Sequence, residues 1–232
     1  MSAPSSVLAP MLIDRRRLLV CLLAACALPR PSVATPLGPT PSESANRRFS
    51  VYYKGDRIGA HTTAYSSATG ETRVTTEISF KVKALFFTVF AFSHHSVEVW
   101  QDGRLTSLDS KTIEDGEKIT VSGAATAQGF RVLSSAGPYV AAATSLTSNS
   151  LWTPAVLAQD TLIDAHHGGV IGVSAHRLPD EQLPLPGRTI RATRYRFITP
   201  YLAGSIWYDE QDRWVHGEFE RDGAHIVYRL DD

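Results

Sequence analysis

From Arg47 onward, short runs rich in Val, Ile, Tyr, Phe and Thr recur at a spacing of roughly ten residues, each separated from the next by a turn signal. The signals are Lys54-Gly55-Asp56, Ala68-Thr69-Gly70, Asp102-Gly103, Asp115-Gly116, Gln128-Gly129, the stretch Asp209 to Asp212, and Asp222-Gly223. Asp-Gly between alternating runs favours the tight turn that joins antiparallel strands. Within the runs the alternation is clean. Val74, Thr76, Ile78, Phe80 and Val82 fall on one face of a strand, and Arg73, Thr75, Glu77, Ser79 and Lys81 on the other. Ala224, Ile226, Tyr228 and Leu230 repeat the pattern near the C-terminus. No stretch carries a long helical period. Short helical turns are expected at Leu151 to Ala158 and near Ala141. Strand, turn, strand without helical crossovers predicts an all-β fold. It is an antiparallel meander that closes into a barrel or wraps into a half-barrel, which protects its edges.

The N-terminus follows a different rule. Arg15, Arg16 and Arg17 stand directly before an apolar run, Leu18 to Leu28, which Pro29 and Pro31 terminate. Eleven residues are too few to cross a bilayer, which takes roughly 20. A positive cluster before a short apolar stretch is the layout of a secretion signal. Residues 1–34 are therefore expected to direct export, with a twin-arginine-like Arg15-Arg16-Arg17-Leu18-Leu19. Two processing sites stay open: cleavage after Ser32-Val33-Ala34, or acylation of Cys26 in Leu23-Ala24-Ala25-Cys26. The first gives a periplasmic protein, the second one lipid-anchored to a membrane facing the periplasm. Residues 35–46 are rich in Pro, Ser and Thr and read as a disordered tether. Residues 47–232 form a single domain.

Composition narrows the chemistry. Both cysteines, Cys21 and Cys26, lie inside the export segment, so the domain has no thiol nucleophile, disulfide or cysteine metal ligand. Without residues 1–34 the chain has 19 basic and 22 acidic residues, which leaves no basic surplus for nucleic acid. No further apolar run is long enough to span a membrane, and nothing calls for a cofactor.

The most unusual stretch is Ala84 to Phe92 (ALFFTVFAF). As one strand it would be apolar on both faces: Leu85, Phe87, Val89 and Ala91 on one, Phe86, Thr88, Phe90 and Phe92 on the other. A half-solvated sheet needs one wet face. The stretch is therefore read as one wall of an apolar ligand cavity, with Phe86, Phe90, Phe92 and His95 as candidate lining residues; a cover over the outer face is the competing explanation. His94 and His95 point to opposite faces of a strand and cannot chelate one ion together. His166-His167-Gly168-Gly169 marks a turn, with Asp164 its only nearby carboxylate; this is too sparse for a metal site. Gly-x-Ser-x-Gly and phosphate-binding loops are absent. Glu114, Asp115 and Glu117 read as a solubilising hairpin tip, and Glu98 beside Trp100 as an inward charge. Trp207 and Trp214 are expected to meet across a hairpin as a packing pair.

These pieces carry a resemblance. They are Phe49-Ser50-Val51-Tyr52 with Gly55 and Ile58-Gly59-Ala60-His61, Phe87 through Trp100, Leu108-Asp109-Ser110-Lys111, Ser150-Leu151-Trp152, and Trp207-Tyr208-Asp209 through Leu230. Together they resemble an uncharacterised family of exported bacterial β-proteins, a domain of unknown function. The strand pattern is similar to that of periplasmic half-barrels that carry lipoproteins or lipids. The resemblance implies a fold and no catalytic residues. Three functions remain, the first leading: non-enzymatic binding or carriage of an apolar or lipidic ligand in the envelope, a structural or protein-interaction module without a cavity, and a hydrolase whose site assembles in space.

Overall fold

The computed structural model describes residues 46–84, 87–221 and 223–231. The segment expected to direct export, with Cys26, the expected tether up to residue 45, Leu85, Phe86, Asp222 and Asp232 lie outside them. The first half of the domain is an unbroken meander: β1 (Arg47–Tyr53), β2 (Asp56–Ala68), β3 (Glu71–Ala84), β4 (Phe87–Gln101), β5 (Arg104–Glu114), β6 (Glu117–Thr126), β7 (Gly129–Ser134) and β8 (Tyr139–Ala141). Two 3-10 turns, Ser150–Trp152 and Pro154–Ala158, and a small ribbon of β9 (Thr161–Ile163) and β10 (Val170–Gly172) follow. The chain then returns to the main sheet as β11 (Ser174–Arg177), β12 (Glu181–Leu185), β13 (Arg188–Ile198), β14 (Ala203–Asp209), β15 (Trp214–Arg221) and β16 (Ala224–Leu230).

The marked turns are where the meander reverses. Lys54-Gly55, Thr69-Gly70, Asp102-Gly103 and Asp115-Gly116 each place two consecutive residues at positive φ, between 47° and 91°. That geometry matches the twist of the flanking strands.

The strand order is β11-β13-β14-β15-β16-β1-β2-β3-β4-β5-β6-β7-β8, antiparallel throughout, with β12 also on β13. Pairing of β1 with β16, from Phe49↔Leu230 to Tyr53↔Ile226, joins the two ends of the domain in mid-sheet. The outer strands do not pair, so the sheet is an open half-barrel.

Inward-facing residues on β2 to β5 lie in register as rows. Tyr65, Val74, Glu98 and Leu108 form one row; Thr63, Thr76, Ser96 and Ser110 the next; His61, Ile78, His94 and Thr112 the third. All twelve are buried. The middle row is small and hydroxylated because another piece of chain occupies that space. The segment 145–158 threads through the half-barrel and places Leu146, Trp152 and Val156 in the main core. Trp152 stands edge-on to Trp100 at 5.5 Å and to Tyr65 at 6.0 Å. The helical turns expected at Leu151 to Ala158 are the 3-10 turns of this plug. The turn expected near Ala141 is instead strand β8, which extends the β7 edge.

Two further expectations are corrected. The apolar stretch Ala84 to Phe92 is not one strand. β3 ends at Ala84 and β4 begins at Phe87, and the two residues pair, so the stretch straddles a hairpin that no turn dipeptide marks. Its two apolar faces therefore have different environments: Phe92 points inward, whereas Phe87 and Val89 project at the tip, 74% and 56% exposed. Nor do Trp207 and Trp214 meet. A bulge at Trp207/Tyr208 sets Trp207 opposite His216 and Tyr208 opposite Trp214. Trp214 lies inside, stacked on Phe49 at 4.0 Å. Trp207 lies outside in a second small core with Leu183, Ala192 and Val215, under Arg194.

Candidate functional site

The plug fills only part of the half-barrel. Beyond it, toward the end formed by the β1–β2, β3–β4, β13–β14 and β15–β16 turns, lies a cavity of about 340 Å³. Its walls are Ile78, Phe80, Val82, Phe90 and Phe92 from β3 and β4, Leu162 and Ile171 from the ribbon, Phe197, Leu202, Phe219 and Ile226 from the second half of the sheet, and Leu151 from the plug. Phe80 stacks on Phe92 at 5.1 Å and tilts against Phe90 at 5.9 Å. Phe90 and Phe92 lie on the wall of this cavity, and Phe86 lies outside the described residues. His95 does not line it. It is on the outer face, beside Glu77 at 3.5 Å, because the period of two sends its neighbour His94 inward.

The floor of the cavity is polar and is held by Asn149 of the plug. Its side-chain amide donates from Nδ2 to His94 Nε2 at 3.0 Å and to Ser96 Oγ at 2.8 Å, and its Oδ1 accepts from His166 Nε2 at 3.1 Å. His94 Nδ1 donates to Thr112 Oγ1 at 2.9 Å. Burial pushes the pKa of His61 down to about 3, of His94 to about 2 and of His166 to about 4, so all three rings are neutral at pH 7. Behind the floor, Glu98 is fully buried, and that burial raises its pKa to about 7 despite hydrogen bonds from Thr147 and Trp100.

The turn bearing His166 and His167 is built around Asp164. Its Oδ1 accepts from the backbone N–H of His166 and His167, at 2.8 and 3.2 Å. Gly168 closes the turn at φ 83°; a Cβ there would lie 2.1 Å from that of Ser134, so only glycine fits. Ser110 Oγ, Ser134 Oγ and Tyr139 Oη dock the turn by donating to the carbonyls of Ala165, Gly168 and Gly169. His167 is a charged clamp. Its Nδ1 donates to Asp164 Oδ2 at 3.2 Å and its Nε2 to Glu114 Oε2 at 2.9 Å, while Arg221 donates to Glu114 Oε1 at 2.7 Å. The Asp164 bond leads in raising His167 to about 9. Burial opposes ionisation of Asp164 and Glu114, yet their bonds to His167 hold both carboxylates below the usual range.

Thr112, His94 and Asn149 follow one another as a hydroxyl, imidazole and amide would in a nucleophilic triad. Thr112 and His94 are only 1% and 3% exposed, however, and neither lines the cavity. His61 faces the cavity, with Thr63 Oγ1 at 3.4 Å and no carboxylate bonded to it among the described residues. Among the described residues, no hydroxyl that lines the cavity is hydrogen-bonded to a histidine. Among the described residues no group of His, Cys, Asp or Glu has the arrangement of a metal site, and no helix is long and apolar enough to cross a membrane.

Fold and cavity together define an open antiparallel β half-barrel with a plugged interior. The chain belongs to the DUF6134 family, a domain of unknown function, whose model matches residues 49–231. Among solved structures it is similar to a beta-barrel-like protein of the domain of unknown function DUF1849 from Brucella abortus. The TM-score is 0.58 and the identity 10%, over 81% of this chain and 95% of that one; the likeness is one of fold. Comparison with curated proteins finds no match.

Proposed function

We propose that the protein is exported to the cell envelope and there binds one apolar or lipidic ligand, without catalysis, inside the half-barrel. The carrying observation is the cavity of about 340 Å³ walled by aromatic and aliphatic side chains. A volume of that order holds one small ligand and lies within the range of natural binding sites. A ten-carbon chain buried there contributes roughly 8 kcal/mol, and association costs several of these, so an affinity on the order of millimolar to sub-millimolar is expected. Export is supported by the positive cluster and short apolar run of Arg15 to Leu28.

The test is native mass spectrometry of protein purified from its own envelope, with a labelled fatty-acid binding assay beside it. A lipid-sized adduct, lost in a Leu202→Trp variant that fills the cavity at its rim, supports the reading. Apoprotein alone, with no binding of any apolar probe, defeats it. A second reading rests on Phe87 and Val89: an exposed apolar hairpin tip suits docking on another envelope component. Acyl labelling of wild type and Cys26→Ser separates lipid anchoring from cleavage at Ala34.

A further inference from the structure

We propose that the cavity selects an amphiphile with an uncharged, hydroxyl-bearing head, and that this head lies at the floor against Tyr228 and His166 while the apolar tail points to the open end. The inference rests on the binding reading above and names the chemistry of the ligand.

The charged groups on the cavity wall, Asp164, His167 and Arg221, are engaged with one another or with Glu114. His167 bridges Asp164 and Glu114, and Arg221 holds the second oxygen of Glu114. This set has two positive and two negative members and presents no surplus charge to an ionised head. A carboxylate, phosphate or ammonium would have to displace a partner and be desolvated among phenylalanines. The floor is different. His166 bonds Asn149 through Nε2 and leaves Nδ1 without a hydrogen-bond partner among the described residues; Tyr228 Oη is without one as well, and both residues line the cavity. His61, another cavity-lining group, is 5.9 Å from the Tyr228 ring, centroid to centroid. These groups are uncharged, and buried polar atoms of this kind reward a partner that can both donate and accept.

Register fixes the orientation. His61 pairs with Phe49 and Tyr228 with Val51, four and two residues in from Tyr53 at the rim. At about 3.3 Å per residue they lie roughly 13 and 7 Å below it. The rim itself carries exposed Phe87 and Val89 at the start of β4 and exposed Tyr201 between β13 and β14. A head at the floor therefore directs the tail past the apolar side chains of the wall toward this rim.

The experiment compares decanol, decanoate and decane by titration calorimetry and competition at pH 8, where decanoate is ionised, on wild type and on Tyr228→Phe. Wild type is expected to bind decanol about tenfold or more tighter than decanoate, and Tyr228→Phe to lose about five- to tenfold for decanol with decane unchanged, as for one neutral hydrogen bond. Decanoate binding as tightly as decanol, or a Tyr228→Phe variant with unaltered decanol affinity, overturns the head-group assignment while leaving the cavity a binding site. Failure of all three probes to bind overturns the binding reading itself. The wild-type comparison needs no variant, and near-UV circular dichroism of the tryptophans checks that Tyr228→Phe is folded.

Discussion

The rings of His94 and His166 meet edge to face with their centroids 4.4 Å apart, although one belongs to the middle of a long strand and the other to a turn. Asn149, from a third segment, holds both by its one amide. The cavity floor is therefore the place where sheet, plug and ribbon are tied together, and its stability is testable.

Asn149→Ala removes that tie. His94 Nε2 and Ser96 Oγ remain buried and lose their donor, and a buried polar group without its partner costs about 1–3 kcal/mol. Stability is expected to fall by about 2–4 kcal/mol in urea titration, with the slope of the transition unchanged. A midpoint equal to wild type would show that the three segments are held elsewhere.

Acid should unfold this domain early. His61, His94 and His166 have folded pKa values below the ordinary 6.5, so the unfolded state binds more protons as pH falls below 6.5. Each contributes about 1.4 kcal/mol of lost stability per pH unit down to its own folded value. Glu98 acts in the opposite sense: its folded pKa near 7 makes the native state gain protons between 7 and 4.5. Three histidines against one carboxyl leave a net fall between pH 6.5 and 4.5. Midpoints measured across that window should drop steeply, and more steeply in Glu98→Gln; a flat profile contradicts the neutral floor.

His167 predicts the reverse at high pH. Its folded pKa is raised to about 9, so its stabilisation is complete below 6.5 and lost as pH rises through 9. His167→Gln should be less stable than wild type at pH 6, and the difference should close above pH 9. A gap that stays constant with pH would mean packing rather than charge.

Phe87→Ser with Val89→Thr should change little inside the molecule, since both side chains are largely exposed. Midpoint shifts within about 0.5 kcal/mol are expected. Retention on a hydrophobic-interaction column should fall clearly; unchanged retention would mean that the tip is not the protein's apolar contact.

How much of this was legible beforehand differs from element to element. Alternation is local, so Val74, Thr76, Ile78, Phe80 and Val82 could be assigned inward and His94 and His95 to opposite faces. The x-Gly pairs could be read because positive φ at two successive positions is a property of the turn alone. The β3–β4 reversal carried no such pair and went unmarked. Glu114 looked like a solvated tip, and His167 like one half of an isolated turn pair; they meet 2.9 Å apart across 53 residues of sequence. The hydroxyl row Thr63, Thr76, Ser96 and Ser110 gave no signal of its own, because its reason is the plug that passes in front of it.

By itself the sequence determined the all-β meander, the positions of its principal turns and the inward face of its best strands, since each depends on neighbours one or two residues away. Only the tertiary structure decided that the sheet stays open, that segment 145–158 fills part of its interior, and that Tyr228, His61 and His166 line the remaining space. Those outcomes depend on contacts between distant residues, whose energies have no local pattern to reveal them.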